Sequence, residues 1–303
     1  MQGSIWQERV ESLEQAVKAF EALYMPSRNF SARTRIEYKN DLTQLVDFLK
    51  TCGISKVRDV GLAHLQSFLV DLDTRGLAGV TRRRKVAVIR ALFGFLTKSA
   101  FIPRNPTEQL IPPEREFKEP RYLSRQEYEA LVAAASQNLR DRAVIELFLQ
   151  TGMKLSEVAR LTLHDIELPT HVSRSSELGR VFIQGRRRKE RSLLLNYKAC
   201  QALKAWLSVR SGVVSPALFV TRLGEPLSKR GIQRMVSEYF KKTGIQNANV
   251  TSLRHTFGVH HAFKGTDLRI IQAQMGLQDI RDVEIYGILA KEVAGRALQD
   301  HAL

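Results

Sequence analysis

Cysteine is nearly absent from this chain. Its 303 residues hold two, Cys52 and Cys200, far apart and without metal-ligand spacing, which excludes a disulfide framework and fits reduced thiols. Long apolar runs are missing as well, since no stretch approaches the roughly 20 residues that a bilayer-spanning helix requires. The segment from Met1 to Phe20 mixes Glu8, Glu11 and Glu14 into a helical pattern, unlike a secretory leader. Internal repeats and low-complexity tracts are also lacking. Acidic residues are in deficit, with 31 Asp and Glu against 47 Lys and Arg and a net charge of +16. Such an excess speaks of partners rather than of fold, and nucleic acid is the partner class it favours. The composition therefore implies a cytoplasmic, nucleoid-associated protein with no membrane role, long enough for two domains that each bury a core.

Helical periodicity fills the first hundred residues. Ser31 can cap a helix whose apolar positions Ile36, Leu42, Leu45, Val46 and Leu49 recur at three- and four-residue intervals. A second helix is expected over 62–72, ending near Gly76, and a third over 81–98. The third opens on Arg82-Arg83-Arg84-Lys85, a cluster suited to DNA phosphates, and carries Val86, Ile89, Leu92, Phe93 and Leu96 on an apolar face. Pro103, Pro106, Pro112, Pro113 and Pro120 then interrupt the chain, which reads as an extended linker. The expected division is a helical domain over 1–105, a linker over 106–121 and a second domain over 122–303.

The second half is mixed. Ser124 and Glu127 form a capping box, and helices are expected over 125–135, 139–151, 155–162, 197–210, 228–243, 253–264, 267–275 and 279–288, with a terminal helix over 290–303. Residues 180–184 and 191–195 flank a basic turn centred on Gly185 and read as a β-hairpin, and 216–221 as another short strand. His255, His260 and His261 share a helix but have no carboxylate partner at metal-binding spacing, so no metal site is expected.

Arg254 in Ser252-Leu253-Arg254-His255-Thr256-Phe257, followed by Tyr286, carries the sharpest chemical signal: an arginine and a tyrosine nucleophile aimed at a DNA phosphate. Together with Thr151-Gly152-Met153-Lys154-Leu155-Ser156-Glu157, Gly185-Arg186-Arg187-Arg188-Lys189-Glu190-Arg191, Met275-Gly276-Leu277 and Ile285-Tyr286, in that family's order, the second half resembles the catalytic domain of the tyrosine recombinases, or phage integrases. Through Thr34-Arg35-Ile36-Glu37-Tyr38 and Asp41-Leu42 the first half resembles their core-binding domain. The resemblance implies a mainly α fold with a small β-sheet and a C-shaped clamp closing on double-stranded DNA. It implies attack by the tyrosine to give a 3′-phosphotyrosine, without metal or other cofactor.

By that resemblance Arg254 is the second phosphate-clamping arginine and Tyr286 the nucleophile. The other positions depart from the pattern. Lys154 stands for the first arginine and lacks its planar fork. Arg186 stands for the hairpin lysine that acts as acid, with Lys189 nearby as a substitute, and Arg186 stays protonated. Thr251 replaces a histidine, and Leu277 a ring donor. Glu157 and Asp165 match positions that orient basic residues. Losing one oxyanion-type donor raises a barrier by about 2.7–4 kcal/mol, and losing a general acid or base slows a reaction roughly 10²–10⁴-fold. The expectation is a DNA-binding member acting in recombination or integration of a mobile element, with strand cleavage impaired or lost. Arg82, Arg83, Arg84, Lys85, Arg186, Arg187, Arg188, Arg254 and His255 are the candidate DNA contacts, and partners are double-stranded DNA and either further copies or a related active recombinase. Two alternatives stay open: an active recombinase working through Lys154, Lys189, Arg254 and Tyr286, and a chromosome-organising or regulatory protein with no recombination role.

Overall fold

The computed structural model describes residues 10–114, 119–172, 178–184, 190–210, 212 and 214–300. The chain divides into two compact units, Met1–Lys118 and Glu119–Leu303.

The first unit is helical. α1 (Leu13–Ala19), capped by Ser12, runs on through a π-turn at Phe20–Tyr24. It is followed by α2 (Ala32–Thr51), α3 (Leu62–Thr74) and α4 (Gly79–Lys98). Ser31 accepts from the Thr34 backbone N–H at 3.1 Å, the cap expected of it. The apolar faces of these helices meet around Phe20, Leu42, Leu45, Leu49, Phe68, Leu72, Phe93 and Leu96, all buried. The described residues of the proline-rich stretch form neither helix nor strand, yet its first part is not free. Leu110 is buried in the same core, its carbonyl accepts from Arg90 Nη2 at 2.5 Å, and the Pro113 carbonyl accepts from Arg83 Nη1 at 2.5 Å. Backbone carbonyls without a helical partner are here satisfied by arginines from α4.

The second unit is built on α6 (Leu139–Thr151), in which Ala143 to Leu149 are all buried. α5 (Arg125–Ala134), with its Ser124–Glu127 capping box, and α8 (Tyr197–Val209) flank that core, together with a small antiparallel sheet in the order β1-β2-β3. β2 (Gly179–Gln184) and β3 (Glu190–Leu195) pair as the expected hairpin, Val181 opposite Leu193. Its turn, including Arg186, Arg187, Arg188 and Lys189, lies outside the described residues. β1 (Ile166–Glu167) is too short for an alternating pattern and escaped the sequence reading. The strand expected over 216–221 is replaced by isolated bridges, Thr162 to Ala217 and Val220 to Pro226. The helix expected over 155–162 shortens to α7 (Leu155–Val158).

Four more helices complete the unit: α9 (Lys229–Lys242), α10 (Val250–Phe263), α11 (Leu268–Met275) and α12 (Arg281–Asp300). α12 joins two helices that the sequence reading kept apart, because nothing between Gly287 and Ala290 forces a break. A separate apolar cluster of Phe257, Val259, Ile271, Met275, Val283, Tyr286 and Leu289 ties α10, α11 and α12 together. Among the described residues no helix is long and apolar enough to cross a membrane.

Candidate nucleic-acid and strand-cleavage site

Two chain turns converge on Arg254. α6 ends at Gly152, whose φ of +62° places it in the left-handed region, and this turns the Gly152 carbonyl toward α10. Glycine is required there on two counts, since a Cβ would also stand 2.6 Å from the Phe257 ring. Arg254, only 8% exposed, donates from Nη1 to that carbonyl and from Nη2 to the Met275 carbonyl at 2.7 Å. Burial pushes its pKa down, while the charges of Tyr286 and Glu157 act the other way.

The same peptide segment gathers other cations. Lys154, exposed at the start of α7, donates from Nζ to the Gly276 carbonyl at 3.2 Å. Its own N–H is capped by Glu157 Oε2 at 2.8 Å, and that carboxylate also pairs with Arg191 Nη2 at 3.0 Å. Glu157 thus caps the Lys154 backbone and orients the Arg191 guanidinium. Asp165, by contrast, accepts from Thr162 N–H and hydroxyl at 2.7 and 2.8 Å and serves its own turn.

Tyr286 is brought close to Arg254 and then turned inward. It is 3% exposed, and its ring lies so near Gly258 that a Cβ there would stand 2.8 Å from it. The hydroxyl meets His255 Nδ1 at 2.9 Å. Burial, and next the Arg254 charge, lower the His255 pKa to about 4. Burial likewise raises Tyr286 to about 12, against a lowering by Arg254. Near neutrality the imidazole is therefore uncharged and the phenol protonated, so the hydroxyl can donate to Nδ1. His255, assigned by sequence to DNA contact, meets the tyrosine through Nδ1.

The remaining candidates scatter. Thr251 is exposed in the first turn of α10, with its N–H on Asn249 Oδ1 at 2.8 Å. Leu277 packs against the apolar cluster around Tyr286. His260 reaches the Leu123 carbonyl and His261 the Thr266 hydroxyl, each at 3.3 Å, and among the described residues no cluster fit for a metal exists.

In the first unit the basic cluster is largely engaged. Arg82 pairs with Asp73 at 2.8 Å, Arg83 bonds Pro113, and Arg84 pairs with Asp41. Lys85 departs furthest from its expected role in phosphate contact. It is 2% exposed, with Nζ 2.7 Å from both Asp41 and Gln44. The reason is helical phase, because Lys85 shares the inward face of α4 with Ile89 and Leu92.

Sequence reading missed two features. Arg191 was quoted only as the end of a motif. The exposed face of α9 carries Arg230, Arg234, Lys241 and Lys242 opposite the buried Ile232, Val236, Tyr239 and Phe240. Basic residues one helical turn apart were the available signal.

Comparison with known proteins agrees with this geometry. The phage integrase family profile matches residues 121–292, and that of the phage integrase N-terminal SAM-like domain matches 17–99. The chain belongs to the phage integrase family, the tyrosine recombinases of site-specific recombination. It is 30% identical over 292 residues to the tyrosine recombinase XerC of Roseiflexus castenholzii, covering 92% of this chain and 90% of that protein. It is 28% identical over 304 residues to the XerC of Bacillus subtilis, covering 96% and 97%. Among solved structures, XerH recombinase bound to a palindromic difH substrate matches with a TM-score of 0.75 at 21% identity, over 94% of this chain and 84% of that one. A lambda integrase dimer on a COC′ core site matches with a TM-score of 0.71 at 14% identity, over 94% and 79%.

Proposed function

We propose that this protein binds duplex DNA and acts in site-specific recombination or integration of a mobile element with strand cleavage impaired or lost. It works in the cytoplasm, on the nucleoid, beside further copies of itself or an active relative. The observation that carries this reading is the state of Tyr286. Its hydroxyl is buried on His255 with a pKa raised to about 12, while Lys154, Thr251 and Leu277 stand where the family places an arginine, a histidine and a ring donor. A phenol so hard to ionise, short of donors for the phosphorane, is a poor nucleophile. The arginine site and the basic face of α9 remain fit for phosphates.

A nicked suicide duplex, recovered by affinity selection from a random pool, tests the reading. The unsubstituted protein should bind it and give no covalent adduct on a denaturing gel. A variant combining Lys154→Arg, Arg186→Lys, Thr251→His and Leu277→His should give an adduct that Tyr286→Phe removes. An adduct from the unsubstituted protein that Tyr286→Phe abolishes would refute impaired cleavage.

That outcome would support a second reading, an active recombinase. The His255–Tyr286 contact favours it, because a neutral imidazole at 2.9 Å can take the hydroxyl proton as the tyrosine attacks.

A further inference from the structure

We propose that Arg191, in β3, supplies the guanidinium fork that Lys154 lacks, so that one DNA phosphate is held jointly by Arg191, Lys154 and Arg254. The proposal rests on the reading above that this site meets a phosphate, and it names the residue that does the holding.

The Met275–Gly276 segment is the common platform. Met275 accepts from Arg254 at 2.7 Å, and Gly276 accepts from Lys154 at 3.2 Å. The Arg191 guanidinium lies against Gly276 so closely that a Cβ there would stand 2.5 Å from Nη1 and 2.6 Å from Cζ. Gly276 has φ +61°, so the same residue makes the turn and leaves room for the fork. Three cations from three elements, α7, β3 and α10, thereby meet at one turn.

Arg191 is aimed rather than merely present. Glu157 fixes one end of the fork at 3.0 Å. The Nε atom is buried and has no hydrogen-bond partner among the described residues. The Arg191 charge also acts on Arg254, pressing its pKa downward, so the two guanidiniums are close enough to repel. A phosphate between them removes that repulsion. Lysine at position 154 gives a point charge, whereas a guanidinium binds two oxygens at once. Arg191 thus restores bidentate capacity from a different strand.

The test measures affinity for a short random-sequence duplex against salt, between about 50 and 200 mM. Arg191→Gln should weaken binding roughly tenfold and lower the log–log slope by about 0.9, the value of one phosphate. Arg125→Gln, which removes the same charge at an exposed position paired with Glu129, should leave the slope unchanged. Arg191→Lys, which keeps the charge beside Glu157, should hold the slope and weaken binding. Adding Lys154→Arg to Arg191→Gln, which adds a guanidinium fork but no charge, should recover affinity at the lowered slope, a rescue that a purely structural role for Arg191 would not give. A slope for Arg191→Gln equal to that of Arg125→Gln overturns the proposal, as does failure of the rescue. Where Arg191→Gln does not fold, Arg191→Lys decides, and affinity equal to the unsubstituted protein overturns it. A flat salt response in the unsubstituted protein would instead sink the DNA-binding reading itself.

Discussion

Replacing Gly152 by alanine isolates how Arg254 is held. Two penalties add at this position. A residue with a Cβ pays about 1–2 kcal/mol in the left-handed region, partly offset by about 0.4–1 kcal/mol from a stiffer unfolded chain. The new methyl would also stand 2.6 Å from the Phe257 ring and 3.1 Å from Met275 Cγ, inside a packed cluster. Overpacking of that kind costs about 1–3 kcal/mol. Gly244 separates the two terms, because its φ is +69° in the same unit and nothing lies within 4 Å of a Cβ there. Gly244→Ala should therefore cost about 0.5–1 kcal/mol and Gly152→Ala about 2–4 kcal/mol. With a urea m-value of about 2.5 kcal/mol per molar, the excess appears as a midpoint lower by roughly 0.5–1 M. Because the Gly152 carbonyl accepts from Arg254, DNA affinity should fall in the still-folded Gly152→Ala protein and not in Gly244→Ala. Equal midpoints for the two variants would refute the steric argument.

Three further outcomes follow from the same contacts. His255 has a folded pKa of about 4, below its ordinary 6.5, so the unfolded chain takes up the proton first as pH falls. Stability from this group is complete above about pH 6.5 and lost toward pH 4, by about 1–2 kcal/mol after allowing for partial exposure. Urea midpoints from pH 8 to 5 that fall equally in His255→Gln and the unsubstituted protein would contradict it. Tyr286→Phe should cost about 0.5–1.5 kcal/mol, one hydrogen bond, whereas Tyr286→Ala should cost about 3–5 kcal/mol, so similar thermal midpoints for the pair would show that packing is not what holds the ring. Lys85→Met leaves Asp41 with Arg84 as its remaining ion-pair partner and should destabilise the first unit by about 1–3 kcal/mol without changing the salt slope of DNA binding; a shallower slope would return Lys85 to the DNA surface.

Much of the helical order was legible because apolar residues at three- and four-residue spacing and side-chain caps such as Ser31 and Ser124 are local signals. The hairpin of β2 and β3 was legible for the same reason, from strand-like runs on either side of a glycine. β1, two residues long, had no period to show. The site was half legible. Arg254 and Tyr286 stand out by motif, but the roles of Lys85, His255 and Arg191 depend on which face of an element each occupies. Lys85 belongs to a run of four basic residues that looks uniform in one dimension, and the turn of α4 buries it against Asp41.

The sequence alone determined the excess of positive charge, the family to which the chain belongs, and the presence of Lys154, Thr251 and Leu277 at the positions where we propose that catalytic helpers are lacking. These are matters of residue identity and order. Only the tertiary structure decided that Tyr286 rests on His255, that Lys85 is an internal ion-pair partner, and that Arg191 meets Lys154 and Arg254 at Gly276. Each of those facts joins residues from different elements, and their partners are set by burial and distance, which exist only once α2 has packed on α4 in the first unit and β3, α6, α10, α11 and α12 have packed in the second.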